Sequence, residues 1–249
     1  MRLTGLLIVF LICLIVLKSE GQKLPDLQTI SLKAPKQVKA DGKNLEWQDQ
    51  FQAYNKRTDL YYTLSNDTEN LYLVVKSTDP ANSNKILSGG ISFAINKEGK
   101  KRNSSGPEVT YPVARRGGMR QSGKKLHLAQ AKEIKIKNFA GITDTLISIY
   151  NLHRIKAFAA VDTSGLFFYE LAVPLKLIDL QVESTFAYNI KINGLQLGSF
   201  AGSRGGGAVS GVAIGGGPAG GRRQGNNRVA DFQSMMSPTD FWGTYKLAK

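Results

Sequence analysis

Residues 61–80 read YYTLSNDTENLYLVVKSTDP, and this stretch decides the fold. Tyr61-Tyr62-Thr63-Leu64 is aromatic and β-branched, which suits a pleated, half-buried surface. Ser65 to Asn70 is turn sequence, because Asn and Asp bond their own backbone and tolerate left-handed conformations. Leu71 to Lys76 is more continuously apolar, so it reads as a central strand covered on both faces. Asp79-Pro80 ends it, since proline cannot donate to a ladder. The stretch is a β-hairpin, and the remaining chain reads as strands added around it.

Working outward, the chain continues in short alternating runs. Thr29 to Lys33 and Gln37 to Ala40 alternate and predict edge strands before the hairpin. After it, Ala81 to Ser88 is polar, with a helical turn expected around Ile86-Leu87. Ile91 to Asn96 alternates clearly. Glu108 to Val113 predicts a strand that Pro112 would place at an edge. Lys124 to Glu133 is free of Gly and Pro and predicts a short helix with Leu126 and Ala129 on one side. Ile134 to Lys137 and Leu146 to Tyr150 are strand-like. Ile155 to Asp162 and Leu166 to Val173 form a second hairpin about Thr163-Ser164-Gly165. Pro174 to Leu177 predicts a helical turn begun by proline. Thr185 to Asn193 and Phe241 to Leu247 are the closing strands. About ten short strands without helix–strand alternation predict an all-β, antiparallel β-sandwich of jelly-roll or immunoglobulin-like type.

Two segments stand outside that pattern. Leu6 to Leu17 is an unbroken apolar run of twelve behind Arg2, and Ser19 and Gly21 sit at −3 and −1 of a cut before Gln22. Residues 1–21 therefore read as a secretory signal peptide. A spanning helix needs about 20 apolar residues, so no membrane span is expected in the mature chain. Cys13 lies in that run and is the one cysteine of the sequence, so disulfide and thiol chemistry are excluded from residues 22–249. An exported chain of that length without disulfides must be held by its own core, and it fits a periplasmic, outer-surface or secreted bacterial protein. The second segment is Gly194 to Arg228, which holds thirteen of the 26 glycines, four arginines and no acid. It reads as a flexible Gly/Arg-rich loop, 194–228, inserted within one sandwich domain spanning 22–249.

The formal charge is +14, falling to +13 when Arg2, Lys18 and Glu20 leave with the leader. That balance favours anionic partners such as acidic glycans or lipid head groups, although the lysines are scattered. The arginine–glycine tract resembles RNA-binding tails, but an exported chain meets little RNA, so no nucleic-acid partner is expected. Catalytic patterns are missing from the sequence. His127 and His153 do not make a metal-ligand pair, and no Gly-x-Ser-x-Gly elbow or phosphate loop occurs. Glu46, Glu108 and Glu170 are the carboxylates considered for glycoside hydrolysis, which needs two that face each other. Asp41, Glu46 and Asp49, or Asp67 and Asp79, match no calcium-loop spacing. His127, His153, Met119, Met235 and Met236 are weak candidates for haem ligation. The expectation is a non-enzyme without cofactor or metal. Its aromatic supply is the better signal: Trp47, Tyr54, Tyr61, Tyr62, Tyr72, Tyr111, Tyr169 and Trp242. Sugars lay apolar C–H faces on such rings while their hydroxyls meet polar neighbours. Trp47, Tyr111 and Trp242 are the candidate ligand-binding residues.

Three motifs in order are Asp41-Gly42-x-x-x-Glu46-Trp47, Tyr61-x-x-Leu64-x-Asn66-Asp67-x-x-Asn70-Leu71-Tyr72-Leu73, and Tyr169-Glu170-Leu171-Ala172-Val173-Pro174. Together they resemble family 9 carbohydrate-binding modules and their DOMON-type relatives. The variety most like this chain is exported by Bacteroidetes-type bacteria and also ends in Phe-Trp-Gly-x-Tyr. The resemblance spans about residues 36–193 and 237–248. It implies a β-sandwich that binds sugars, often as an accessory to glycan-degrading enzymes. The alternative is a structural or interaction protein of the cell envelope that has lost the sugar site. In sugar-binding members aromatic rings clamp the end of a sugar chain, and neither tryptophan here maps onto those rings. Trp47 sits in a motif that looks structural, and the Gly-rich insertion is foreign to the family pattern.

The insertion generates a first prediction. Glycine loses much backbone entropy on ordering, and lengthening a loop twofold costs only about 0.6 kcal/mol. Replacing Gly194 to Arg228 with a short Gly-Ser turn should leave the melting temperature nearly unchanged. A large fall in the thermal midpoint would instead show that the tract packs as structure.

Overall fold

The computed structural model describes residues 23–42, 46–102, 105–113, 128, 131–194 and 233–249. The expected leader over residues 1–21, the glycine-rich tract from 195 and most of the expected helix over Lys124 to Glu133 lie outside the described residues.

Among the described residues, eleven strands form two antiparallel sheets. The strands are β1 (Ala53–Asn55), β2 (Leu60–Asn66), β3 (Asn70–Ser77), β4 (Ile91–Asn96), β5 (Glu108–Tyr111), β6 (Glu133–Lys137), β7 (Leu146–Ser148), β8 (Lys156–Val161), β9 (Phe167–Pro174), β10 (Thr185–Ile192) and β11 (Thr239–Lys246). The five-stranded sheet runs β1-β2-β3-β9-β8 and the six-stranded sheet β11-β10-β4-β5-β6-β7. The fold is an all-β sandwich. The two hairpins read from sequence are β2–β3 and β8–β9, and they lie side by side because β3 pairs with β9. One helix, α1 (Pro80–Gly89), connects β3 to β4. Asp79 caps it by accepting from the Ala81 and Asn82 amides, and Pro80 begins it. It is ten residues long where a single turn was expected, because the cap and the proline stabilise a start that its weak apolar pattern does not announce.

The core lies between the sheets. Alternate residues of each strand meet there, including Leu71, Leu73 and Val75 of β3, Phe93 and Ile95 of β4, and Phe186, Tyr188 and Ile190 of β10. Tyr62 spans the gap: its hydroxyl lies 2.8 Å from that of Tyr188 and accepts from the Gln28 amide at 2.9 Å. A second apolar layer covers the far face of the five-stranded sheet. Trp47 and Phe51 pack there on Tyr72, Val74 and Ala172, with Leu24, Ala34, Val38 and Ala40 against them. Thus β3 is covered on both faces, as its continuous apolar run requires.

That second layer comes from residues 23–52, and it corrects two expected strands. Thr29 to Lys33 and Gln37 to Ala40 form no ladder. One isolated bridge, Lys33 to Asn66, is the sole strand-like pairing found there among the described residues. The segment is a strap: Val38 and Ala40 turn towards the sheet, so alternation there reflects one-sided burial, whereas in Thr29 to Lys33 the Ile30 side chain is exposed. The strap also finishes the rim of β2. The Gln28 side chain donates to the Leu64 carbonyl at 2.8 Å and accepts from the Leu64 amide at 2.7 Å, standing where a neighbouring strand would be. The expected edge placement of Glu108 to Val113 is also corrected. β5 pairs with both β4 and β6, and Pro112 falls just beyond its last residue, where no ladder bond is lost. The helical turn expected at Pro174 to Leu177 is present as the 3-10 turn Leu175–Ile178, with Pro174 both the last residue of β9 and the N-cap of the turn.

Two buried tyrosines test this core by contrast. The Tyr169 hydroxyl is buried and has no hydrogen-bond partner, whereas Tyr62 bonds Tyr188 and Gln28. Tyr169→Phe should hold or raise stability by up to about 1 kcal/mol, because it removes an unsatisfied group. Tyr62→Phe should cost about 1–3 kcal/mol by orphaning two partners. Urea midpoints that reverse this order would refute the assigned hydrogen bonds.

Candidate functional site

The first and third sequence motifs meet on the outer face of the five-stranded sheet. Glu170 points outward from β9 and is buried under the strap. Its Oε2 accepts from the Asp41 amide at 3.0 Å and the Gly42 amide at 2.6 Å, and its Oε1 accepts from Trp47 Nε1 at 3.0 Å. Gly42 has a φ of 78°, and a Cβ there would run into the Phe158 ring. Both reasons demand glycine. The Asp-Gly-x-x-x-Glu-Trp motif is therefore the wrapper of one carboxyl group. Burial pushes Glu170 up from 4.5 to about 7, against the three N–H donors, and the charge of Glu46 pushes the same way. Glu46 Oε2 is itself buried without a partner. These two carboxyl groups are neighbours, but Glu170 is occupied on both oxygens and sealed by the strap. Glu108 lies on the other sheet, within 3.5 Å of Lys137.

The three candidate binding residues occupy three different layers. Trp47 is 6% exposed, with its ring against Tyr72 and its indole N–H on Glu170. Tyr111 is 3% exposed, lies in the central core, and donates to the Ala131 carbonyl at 3.1 Å. Trp242 is half-buried on the outer face of the six-stranded sheet. They form no common site, and the first two are closed to a ligand. Of the other rings considered, Tyr62, Tyr72 and Tyr169 are buried. Tyr61 packs on the second apolar layer, and Tyr54 stacks on Tyr61 with its hydroxyl on Asp59. The carboxylates considered for calcium have local structural roles. Asp67 accepts from the Glu69 and Asn70 amides and the Tyr72 hydroxyl, Asp79 caps α1, and Asp49 pairs with Lys76. Among the described residues no group of three or more His, Cys, Asp or Glu could hold a metal ion. His127 and Met119 lie outside the described residues.

Trp242 has a specific setting. Along β11, Phe241 and Tyr245 point into the core, and a Cβ on Gly243 would strike the Tyr188 ring. The Phe-Trp-Gly-x-Tyr pattern thus puts three positions inward and leaves Trp242 outward. It is paired with Asn189 of β10, and Asp240 is paired with Lys191. Asn189 Nδ2 donates to Asp240 Oδ2 at 2.8 Å and to the Phe241 carbonyl at 2.9 Å, and the residue is buried, so it orients Asp240 from beneath. The floor continues into β4 and β5 with small side chains. Ala94 lies opposite Asn189, and Ser92 and Thr110 are hydrogen-bonded at 2.7 Å. Asn193 donates to Ser92 at 2.9 Å. The result is a polar layer in which Asn189, Ser92 and Thr110 are buried, with one half-buried ring, one carboxylate and one ammonium at the β10–β11 side. Asn189, Lys191 and Asp240 were not singled out from the sequence; alternation in Thr185 to Asn193 separates this face from the core, although Ala187 and Asn189 on it are buried.

No protein-family model and no curated protein matches the chain. Among solved structures it is similar to a family 9 carbohydrate-binding module from Caldicellulosiruptor kristjanssonii, determined in complex with glucose. The identity is 10% and the TM-score 0.34, over 68% of this chain and 80% of that one.

Glu170 predicts a pH signature. It keeps its proton in the fold where the unfolded chain has lost it, so between 4.5 and about 7 the folded state binds more protons. Its contribution is complete below that window and is lost as pH rises through it. Thermal midpoints of the parent should therefore fall relative to those of Glu170→Gln as pH rises from 5 to 8, because the variant cannot ionise. A difference independent of pH would mean that Glu170 is ionised throughout.

Proposed function

We propose that this chain is an exported, non-catalytic carbohydrate-binding domain that takes sugar on the outer face of its six-stranded sheet. The carrying observation is the half-buried Trp242 beside Asp240, Asn189 and Lys191. A pyranose could lay its C–H face on the indole while Asp240 accepts from hydroxyls and Lys191 donates. The three motifs shared with family 9 modules and DOMON-type relatives support the same reading, and so does the leader over residues 1–21. In such a protein the domain would act as an accessory to glycan degradation at the cell exterior or in the periplasm. The second reading, an envelope interaction protein without a sugar site, is favoured by the burial of Trp47 and Tyr111.

Glycan-array screening of residues 22–249, followed by calorimetry, separates the two. A bound glycan should lose at least about tenfold in affinity, roughly 1.4 kcal/mol, in Trp242→Ala, with Asp240→Ala weakening it further. Trp242 points away from the core, so its variant should keep the melting temperature, whereas Asp240→Ala also removes an acceptor of the buried Asn189 amide and should lower it somewhat. Silence against neutral and acidic glycans at millimolar concentration would eliminate the sugar reading, and envelope pull-down would then test the second.

A further inference from the structure

The loop joining β7 to β8 spans the side of the sandwich, because these strands are the edges of the two different sheets. It carries the two most exposed large apolar side chains among the described residues. Leu152 is 96% exposed and Tyr150 79%. The loop is nevertheless well braced. Asn151 Nδ2 donates to the Ser148 and Ile155 carbonyls at 2.8 and 2.7 Å, and its Oδ1 accepts from the Ile155 amide at 3.2 Å. The Tyr150 amide donates to Ser148 Oγ at 3.1 Å, and Ile155 anchors the base in the core. These bonds hold the loop in one shape without covering Tyr150 or Leu152.

Cations surround that protrusion. Lys132 Nζ lies 6.0 Å from the centre of the Tyr150 ring. Arg154 and Lys156 are exposed on the same rim. The nearby acids are Glu69, which pairs with Arg154 at 3.0 Å, and Glu133, opposite Ser148. We propose that residues 149–155 form a docking tip for an anionic lipid surface, independently of the sugar-binding reading. Leucine would enter the acyl boundary, tyrosine would sit at head-group level, and the lysine and arginine heads would meet phosphates. The shape selects lipid over protein as the occupant. A stable protein interface covers about 800 Å² on each partner, far more than two side chains on a narrow turn provide. A bilayer accepts a narrow tip. With so little inserted area the attachment is weak and reversible, and anionic lipid adds to it.

The test is co-sedimentation of the chain begun at Gln22 with vesicles of phosphatidylglycerol and phosphatidylcholine, and with phosphatidylcholine alone. Binding should be at least about tenfold stronger to the anionic vesicles and fade with salt. The double variant Tyr150→Ser with Leu152→Ser should lose at least about fivefold on anionic vesicles at an unchanged melting temperature, since neither side chain packs in the fold. A single Leu152→Trp variant should gain a blue-shifted emission component on the same vesicles that the parent lacks. Four results would overturn the proposal: no binding, equal binding to both vesicle types, an unaffected double variant, or an absent emission shift. Binding that disappears on replacing Gly194 to Arg228, yet survives the serine variants, would overturn it in favour of the tract's arginines.

Discussion

A single carboxyl group organises the outer half of this sandwich. Glu170 receives three N–H donors from a segment more than 120 residues earlier in the chain. Without that attachment the far face of β3 and β9 would leave Tyr72, Val74 and Ala172 in water, an arrangement that the continuous apolar run of β3 disfavours. The strap and the sheet therefore specify each other. One supplies donors and a tryptophan, and the other supplies the acceptor and an apolar bed. Desolvating a carboxylate is costly, and a proton held near neutrality is how this site lowers that cost.

The two outer faces are consequently unequal. The five-stranded sheet is covered by an apolar layer, while the outer side of the six-stranded sheet carries small and polar residues, buried at its centre and half-exposed at Trp242, Asp240 and Lys191. Tryptophan appears on both faces with opposite duties. Trp47 turns its N–H inward to a buried acid. Trp242 is turned outward because Phe241, Gly243 and Tyr245 on the same strand are committed to the core.

Much of this was legible in the residues. Both hairpins, β4 and the closing strands followed from alternation and turn chemistry, because tertiary contacts there agree with local preference. The strap was not legible as such. Val38 and Ala40 alternate with lysines because one side packs, and alternation cannot distinguish half-burial with a ladder from half-burial without one. Pro112 looked like an edge marker, but whether it falls inside or just after a strand depends on a register that only pairing defines. At the candidate site, counting rings overvalued Trp47 and Tyr111. Tyr111 shares a face with Val109, a signal of the core, and Trp47 is explained only by Glu170, too distant in sequence to suggest itself. Trp242 opposes Phe241 and Tyr245 in phase, and that signal was readable.

The Gln28 amide has a consequence beyond stability. A sheet rim with open N–H and C=O groups is a template on which another chain can pair, the first step towards amyloid-like growth. β1 shields the rim of β2 only from Leu60 to Tyr62. At Leu64 the shielding passes to one side chain that mimics a peptide group and offers no backbone direction for a further strand to follow. Beyond it the strap's backbone takes over, with Asn66 bonded to Leu32 and Ala34, so the gap at Leu64 is the part of this rim whose protection rests on a side chain, which can be lost by a single substitution while every strand remains in place.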